Sequence, residues 1–147
     1  MSKLVIFGRV KMERAEVSKR NKYYISKHRY YELKHFCLQY SEWTKAVRML
    51  NAWNKAPNDF VMVDSKNKTP ANPTEKLATA KVYFSTKIDL VEQALSHIEP
   101  SITPFVRIGV TQGLPYDTLR TRGCPCGRDM YYNEYRKFFW YLNIIKG

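Results

Sequence analysis

Acidic residues, glycine and long apolar runs are all scarce in this sequence. Its 147 residues hold 13 Asp or Glu against 25 Lys or Arg, so the formal net charge is +12. Such an excess favours a polyanionic partner, usually nucleic acid, over a surface that is charged for solubility alone. No apolar run approaches the roughly 20 residues of a membrane-spanning helix. The short run at residues 4–7 lacks the small-residue cleavage site of a signal peptide, so we expect an intracellular protein with no membrane partner.

Cysteine is also rare, and its number is odd. Cys37, Cys124 and Cys126 are the three cysteines, which argues against a disulfide framework. One residue separates Cys124 from Cys126, whereas zinc sites use four ligands and usually two or more residues between paired cysteines. We therefore predict neither a metal site nor a cofactor, and a role in turn packing or helix capping for this pair.

Signatures of catalysis are missing as well. The chain has no glycine-rich phosphate loop, and no known nucleophile motif surrounds its cysteines. Asp117, Asp129 and Glu134 lie close in sequence and could bind a divalent ion, as nuclease carboxylates do. Asp129 has a sufficient structural role, since a carboxylate in the first turn of a helix stabilises it. We do not expect an enzyme.

The first long apolar pattern predicts a helix over about residues 27–54. Ser26 is the candidate N-cap, and residues 27–56 contain neither Gly nor Pro. Ser41 is the one candidate break. The apolar positions follow a heptad spacing: Leu33, Phe36, Tyr40, Trp43, Val47 and Leu50.

A second heptad pattern predicts a helix over about residues 74–98, with Asn72 as its cap. Its apolar positions are Leu77, Ala80, Phe84, Ile88, Val91, Leu95 and Ile98. Residues 55–73, rich in Pro and Asn, separate the two helices as a loop. Residues 26–99 are therefore predicted to form a helical hairpin after a basic N-terminal arm, residues 1–25. The two apolar stripes would form a core within one chain, a homodimer interface, or both.

Residues 100–147 are predicted to form a helix-turn-helix domain. Short helices are expected over residues 102–112 and 116–120, with Gly113 as a left-handed cap between them. A turn at residues 123–125 then precedes a final helix from Gly127. In that helix the inward stripe is Tyr131, Tyr135, Phe138, Leu142 and Ile145. The predicted fold class is all-α, a long helical hairpin followed by a C-terminal helix-turn-helix.

The outer face of the final helix carries the candidate nucleic-acid contacts. Arg128, Tyr132 and Asn133 lie in its first two turns, where a recognition helix reaches base edges. Arg can bond guanine in two places, and Asn can do the same with adenine. The predicted phosphate contacts are Arg136, Lys137, Arg107, Arg120 and Arg122. The plainer interpretation is an ordinary solvated helix face.

Two segments resemble phage proteins. Residues 113–119, followed by residues 125–131, resemble the helix-turn-helix of phage late-gene transcriptional regulators of the ArpU/RinA type. Residues 25–37 are similar to the leading helix of small phage and prophage proteins from gut Firmicutes. The resemblance implies a sequence-specific, duplex-DNA-binding regulator in the cytoplasm of a bacterial host cell. It also implies a homodimer that could contact RNA polymerase.

Two other functions fit the same composition. A phage-encoded inhibitor directed at the host, similar to an anti-CRISPR protein, would use the basic surface to bind a host nucleoprotein. A non-specific single-strand binder would stack bases on some of the 11 tyrosines.

Overall fold

The computed structural model describes residues 19–55 and 73–147, and within these ranges every regular element is an α-helix. The helices are α1 (Lys27–Cys37), α2 (Tyr40–Lys55), α3 (Pro73–Leu95), α4 (Thr103–Gln112), α5 (Tyr116–Thr121) and α6 (Arg128–Lys146). The all-α prediction is confirmed. Most of the predicted N-terminal arm and of the loop 55–73 lies outside the described residues, as does the predicted cap Asn72. None of the described helices is both long and apolar enough to cross a bilayer.

The first predicted helix is two helices. α1 begins as expected, since the Ser26 hydroxyl accepts the Arg29 N–H at 3.4 Å. It ends at Cys37 with Leu38 as its C-cap, and α2 begins two residues later. The prediction of one helix over residues 27–54 is therefore wrong about continuity, and the break lies at residues 38–39 rather than at the candidate position Ser41. Gln39 donates its N–H to Phe36, which tightens the last turn and ends the helix without glycine or proline.

This break coincides with a division of the molecule into two compact units. Among the described residues, one unit contains residues 19–39 together with Leu90–Gly147, and the other contains residues 40–55 and 73–89. α1 and α2 belong to different units, so the end of α1 falls at the boundary between the two units. α3 contributes to both units.

α6 is the central helix of the first unit. α1 and α4 both pack against it, and α5 packs against α4. The predicted inward stripe is buried at Tyr131, Tyr135, Phe138 and Leu142, while Ile145 is only half-buried. Phe139 is buried too, because α6 has neighbours on more than one flank. The buried face is consequently wider than the heptad pattern indicates.

The contact of α1 with α6 is aromatic and polar at once. The Tyr30 and Tyr135 hydroxyls are 2.7 Å apart in the interior, and the Tyr30 ring meets Phe139 edge to face at 5.2 Å. Burial, together with the neighbouring Tyr30 hydroxyl, raises the pKa of Tyr135 well above its usual value. The pair satisfies two buried hydroxyls with one hydrogen bond.

The second unit contains α2 and the first part of α3. Trp43 and Leu50 of α2 are buried as predicted, whereas Ile88 of α3 is half-buried. The Lys87 ammonium lies 6.0 Å from the centre of the Trp43 ring and 4.7 Å from that of Tyr83. Exposed apolar side chains remain in this unit, namely Met49, Trp53, Val82 and Tyr83.

Candidate nucleic-acid interface

The segment between α4 and α6 positions the predicted DNA contacts. Gly113 ends α4 in the left-handed conformation (φ 70°, ψ 30°), as the sequence predicted. α5 follows after Pro115, and residues 122–127 connect it to α6. The Cys124 N–H bonds the Leu119 carbonyl at 3.1 Å, so this connection folds back on α5. α6 begins at Arg128 with no side-chain cap, and Arg128, Asp129 and Met130 in its first turn are exposed.

Arg128 is the most accessible of the predicted base contacts. Its guanidinium donates to Asp117 Oδ1 at 2.6 Å and lies 5.4 Å from the centre of the Tyr116 ring. The Arg128 side chain is 46 % exposed and that of Asp117 is 75 % exposed. An ion pair that is so exposed contributes only about 0–1 kcal/mol. Arg128 is thus paired with Asp117, but the ion pair is exposed and weak enough for another anion to replace Asp117.

A cleft of about 490 Å³ opens between α5 and the first turn of α6. The Tyr116 hydroxyl donates to the Cys126 carbonyl at 2.7 Å and ties the two sides together. The lining residues bring two guanidinium groups against one carboxylate: Tyr116, Asp117, Arg120, Cys124, Pro125, Cys126, Gly127 and Arg128. The positive excess suits an anionic ligand.

The remaining predicted contacts differ in accessibility. Arg120 and Arg122 are exposed beside this cleft, while Asn133 and Arg136 are half-buried on α6. The Lys137 ammonium lies 3.6 Å from the Glu134 carboxylate. Glu134 is buried, and its carboxylate accepts a hydrogen bond from the Glu99 N–H at 3.0 Å. This bond connects α6 to the segment that precedes α4.

Neither a family model, nor a curated protein, nor a solved structure matches this chain. The candidate interface therefore depends on the geometry of the chain itself.

Two predicted contacts require correction. Tyr132 is only 5 % exposed, and its hydroxyl accepts the Tyr116 N–H at 3.3 Å, so the prediction that it faces solvent is wrong. The α5–α6 contact covers that part of the helix. Arg107 makes a bidentate pair with Glu92, at 3.0 and 2.6 Å, so its charge is already neutralised and its guanidinium is occupied.

Residues 19–25 also contribute to the surface around α6, which the sequence analysis did not predict. Asn21 forms a turn there, accepting the Tyr23 N–H on its side chain at 2.8 Å. The Tyr23 ring then meets Trp140 of α6 edge to face at 5.6 Å, and the Lys137 ammonium lies 5.9 Å from the Tyr23 ring centre. The basic and aromatic composition of this segment is visible in the sequence. Its docking on α6 is not, because Trp140 lies more than 100 residues away.

The carboxylates and cysteines near α6 do not assemble a metal site of three or more ligands within residues 19–55 and 73–147. The Cys124 and Cys126 sulfurs are 3.8 Å apart. Burial, followed by the hydrogen bond between the two thiols, raises the pKa of Cys126 to about 11. At neutral pH the Cys126 thiol therefore keeps its proton, which does not make it an activated nucleophile.

Proposed function

We propose that this protein is a sequence-specific, duplex-DNA-binding regulator in which α5 and α6 act as a helix-turn-helix. The observation that carries the proposal is the exposed first turn of α6, with Arg128 held over Tyr116 at the edge of a positively charged cleft. A recognition helix needs this combination, because its body must be fixed in the domain while its first turns enter the major groove.

The packing of α6 supports the proposal. The helix is buried along Tyr131, Tyr135, Phe138 and Leu142, yet Arg128 and Met130 are exposed at its start. The connection of residues 122–127 is longer than the three to four residues of a typical helix-turn-helix. Two hydrogen bonds fix the start of α6 and so do the work of a tight turn. The Cys124 N–H donates to the Leu119 carbonyl, and the Tyr116 hydroxyl donates to the Cys126 carbonyl.

Phosphate contacts would come from both sides of α6. Arg120 and Arg122 lie next to the cleft, and Lys22 lies beside Tyr23 on the docked segment before α1. Contacts of this type fix the register of a protein on the duplex without reading sequence. In this arrangement Arg128 and Asn133 read bases, and the surrounding cations position them.

The second unit supports a homodimer. Met49, Trp53, Val82 and Tyr83 are large apolar side chains that remain exposed on α2 and α3. A second copy of the chain would cover them, and two-fold symmetric dimers are common among regulators that bind two half-sites. The proposal has three further parts. The protein contacts RNA polymerase, it is encoded by a phage, and it is located in the bacterial cytoplasm.

The test is a selected-sequence binding profile for the wild type, Arg128→Ala and Lys137→Ala. We expect Arg128→Ala to relax selectivity at one base pair, with a cost there of about 1–3 kcal/mol. Lys137→Ala should weaken binding to all sequences about equally, since an ammonium on a phosphate carries no sequence information. Binding should also weaken steeply with added salt.

Arg107→Ala is the matched control, because it removes the same charge from an arginine that forms a bidentate pair with Glu92 and does not line the cleft. It should leave both affinity and selectivity unchanged. A flat salt response would contradict nucleic-acid binding altogether. If the wild type prefers no duplex sequence but binds a host nucleoprotein tightly, the inhibitor hypothesis replaces the regulator. The single-strand hypothesis replaces it if single strands bind better than every duplex.

A further inference from the structure

Four partly exposed aromatic side chains contact one another in a continuous row on the first unit. Tyr23 meets Trp140 edge to face with ring centres 5.6 Å apart, and Trp140 meets Tyr141 in the same way at 5.1 Å. Tyr141 is stacked on His97, with ring centres 4.3 Å apart and ring planes 11° apart. His97 is exposed, and the other three rings are half-buried. We call these four residues the aromatic row.

The fold holds the aromatic row in place before any ligand binds. Two of its rings belong to α6, and their helix neighbours Phe139 and Leu142 are buried in the core. The Tyr23 N–H donates to the Asn21 side chain at 2.8 Å, and the His97 N–H is bonded to the backbone just after α3. Rings that are already ordered lose little conformational entropy on binding, so a surface of this kind is suited to a ligand that stacks.

One end of the aromatic row is a parallel stack that a further flat ring can extend. His97 is the exposed member of its pair with Tyr141, so the stack ends at the surface. Nucleobases are flat, and they stack on aromatic side chains with little dependence on sequence. The bases of a duplex are already stacked on one another, so only an unpaired strand offers its base faces to protein rings.

Cations lie beside the other end of the row. The Lys22 ammonium lies 5.2 Å from the centre of the Tyr23 ring, and the Lys137 ammonium lies 5.9 Å from the same centre. Lys22 is exposed, whereas Lys137 lies 3.6 Å from the buried carboxylate of Glu134. That carboxylate is shared, because it also accepts the Glu99 N–H. Positive charge next to stacked rings matches a ligand in which phosphates join the bases.

The aromatic row is separate from the cleft at the start of α6. Trp140 follows Arg128 by twelve residues, which is about 18 Å along a helix. None of the four residues of the row lines the cleft. The two surfaces can therefore be altered and measured one at a time.

We propose that the aromatic row, together with Lys22 and Lys137, binds single-stranded DNA. Its unpaired bases stack on the rings, and its phosphates meet the two ammonium groups. This surface is an addition to the proposed contact with duplex DNA. Only the choice of DNA over RNA rests on the proposed function, because the first turn of the same helix is the proposed contact with a DNA duplex.

The experiment compares two labelled DNA strands of about 12 nucleotides by fluorescence anisotropy at one salt concentration. One is a cytosine homopolymer, and the other is an abasic strand that keeps every phosphate but has no bases. We expect the full-length wild type to bind the cytosine strand at least about 5-fold more tightly, since one base stacked on an aromatic side chain contributes roughly 5- to 150-fold. This comparison uses no variant, so it does not depend on how well a variant folds.

Variants then locate the site on the aromatic row. His97→Ala and Trp140→Leu should each weaken binding of the cytosine strand by about 5-fold or more and leave binding of the abasic strand unchanged. Trp140→Phe keeps a ring and should retain most of the affinity. His28→Ala is the matched control, because His28 is an exposed histidine of α1 outside the row, and it should bind as the wild type does. Circular dichroism of each variant shows that it is folded, and the exposure of His97 makes His97→Ala the safer variant.

Three results would overturn the proposal. The first is equal affinity of the wild type for the cytosine and abasic strands, because phosphate contacts alone would then account for binding. The second is unchanged binding of the cytosine strand by folded His97→Ala and Trp140→Leu. The third is tighter binding of a cytosine RNA strand of the same length, which would overturn the assignment to DNA. Failure of the proposed function is seen separately, as a lack of sequence preference on duplex DNA, which none of these measurements uses.

Discussion

Gly109 of α4 lies where three helices approach one another. A Cβ atom at this position would meet the Tyr131 hydroxyl of α6 and would lie 3.2 Å from a methyl carbon of Leu119 of α5. The same Tyr131 hydroxyl is buried with no hydrogen-bond partner among the described residues. The absence of a side chain at Gly109 is therefore what makes room for the hydroxyl, at the cost of leaving a polar atom unsatisfied.

Substitutions at these two positions should be coupled. Gly109→Ala should lower the free energy of unfolding by about 1–3 kcal/mol through overpacking, despite the better helix propensity of alanine. Tyr131→Phe should not lower it, and should raise it by up to roughly 1 kcal/mol, because the buried hydroxyl makes no bond. In the Tyr131→Phe background, Gly109→Ala should cost less. The measurement is denaturant unfolding of the four proteins in a double-mutant cycle. Strictly additive effects would show that the hydroxyl and the Cβ position do not meet.

At the scale of elements, α1 contacts α6 in two places. Aromatic rings pack in the interior, and Arg29 of α1 binds the C-terminal end of α6. Arg29 donates to the Asn143 side chain at 2.6 Å and to the Gly147 carbonyl at 3.1 Å. Its guanidinium also pairs with Glu32 on its own helix. The last carbonyls of a helix have no partners within the helix, and a cation is favourable there. Arg29 thus acts as a cap for α6 that is supplied by α1.

Loss of this cap should loosen the last turns of α6. We expect Arg29→Ala to lower the free energy of unfolding by about 1–2 kcal/mol, the low end for charged hydrogen bonds because the side chain is partly exposed. Amide hydrogen exchange should become faster over residues 140–147, with little change at Tyr131. Lys27→Ala is the matched control, since it removes an exposed cation from the same helix. Equal exchange in both variants would mean that Arg29 is not the cap.

On the scale of the whole molecule, several ionisable groups are buried in their protonated, neutral form. Burial raises the pKa of the Cys37 thiol above its usual range, and it does the same for the Tyr131 and Tyr135 hydroxyls. The unfolded chain releases these protons above about pH 8.5 for cysteine and about pH 10 for tyrosine. The folded state binds more protons there, so the stability contributed by these groups is present below those values and is lost as the pH rises.

The protein should therefore lose stability steadily between about pH 8.5 and 11, by up to roughly 1.4 kcal/mol per pH unit for each group that titrates only when unfolded. Cys37→Ala should make the slope shallower between about pH 8.5 and 10, whatever its effect at neutral pH. The measurement is the free energy of unfolding from urea titrations at a series of pH values. A slope in Cys37→Ala that equals the wild-type slope would contradict the argument.

Local patterns in the sequence predict much of the helical content, because they depend on neighbours within a turn or two. The Ser26 cap, the left-handed Gly113 and the buried stripe Tyr131–Tyr135–Phe138 are all local features, and all three are present. The high positive charge and the scarcity of acidic residues likewise belong to composition. These features alone led to the prediction of nucleic acid as the partner class, which stays a prediction.

Only the tertiary structure decided which charged and aromatic side chains are accessible. Tyr132 and Arg107 have the right chemistry and spacing for an interface, yet one is buried against α5 and the other is bound to Glu92. The end of α1 at Cys37, before the candidate break at Ser41, and the docking of Tyr23 on Trp140 were not predicted either. Each depends on a contact between residues far apart in the chain, and the periodicity of a single helix cannot encode what covers its outer face.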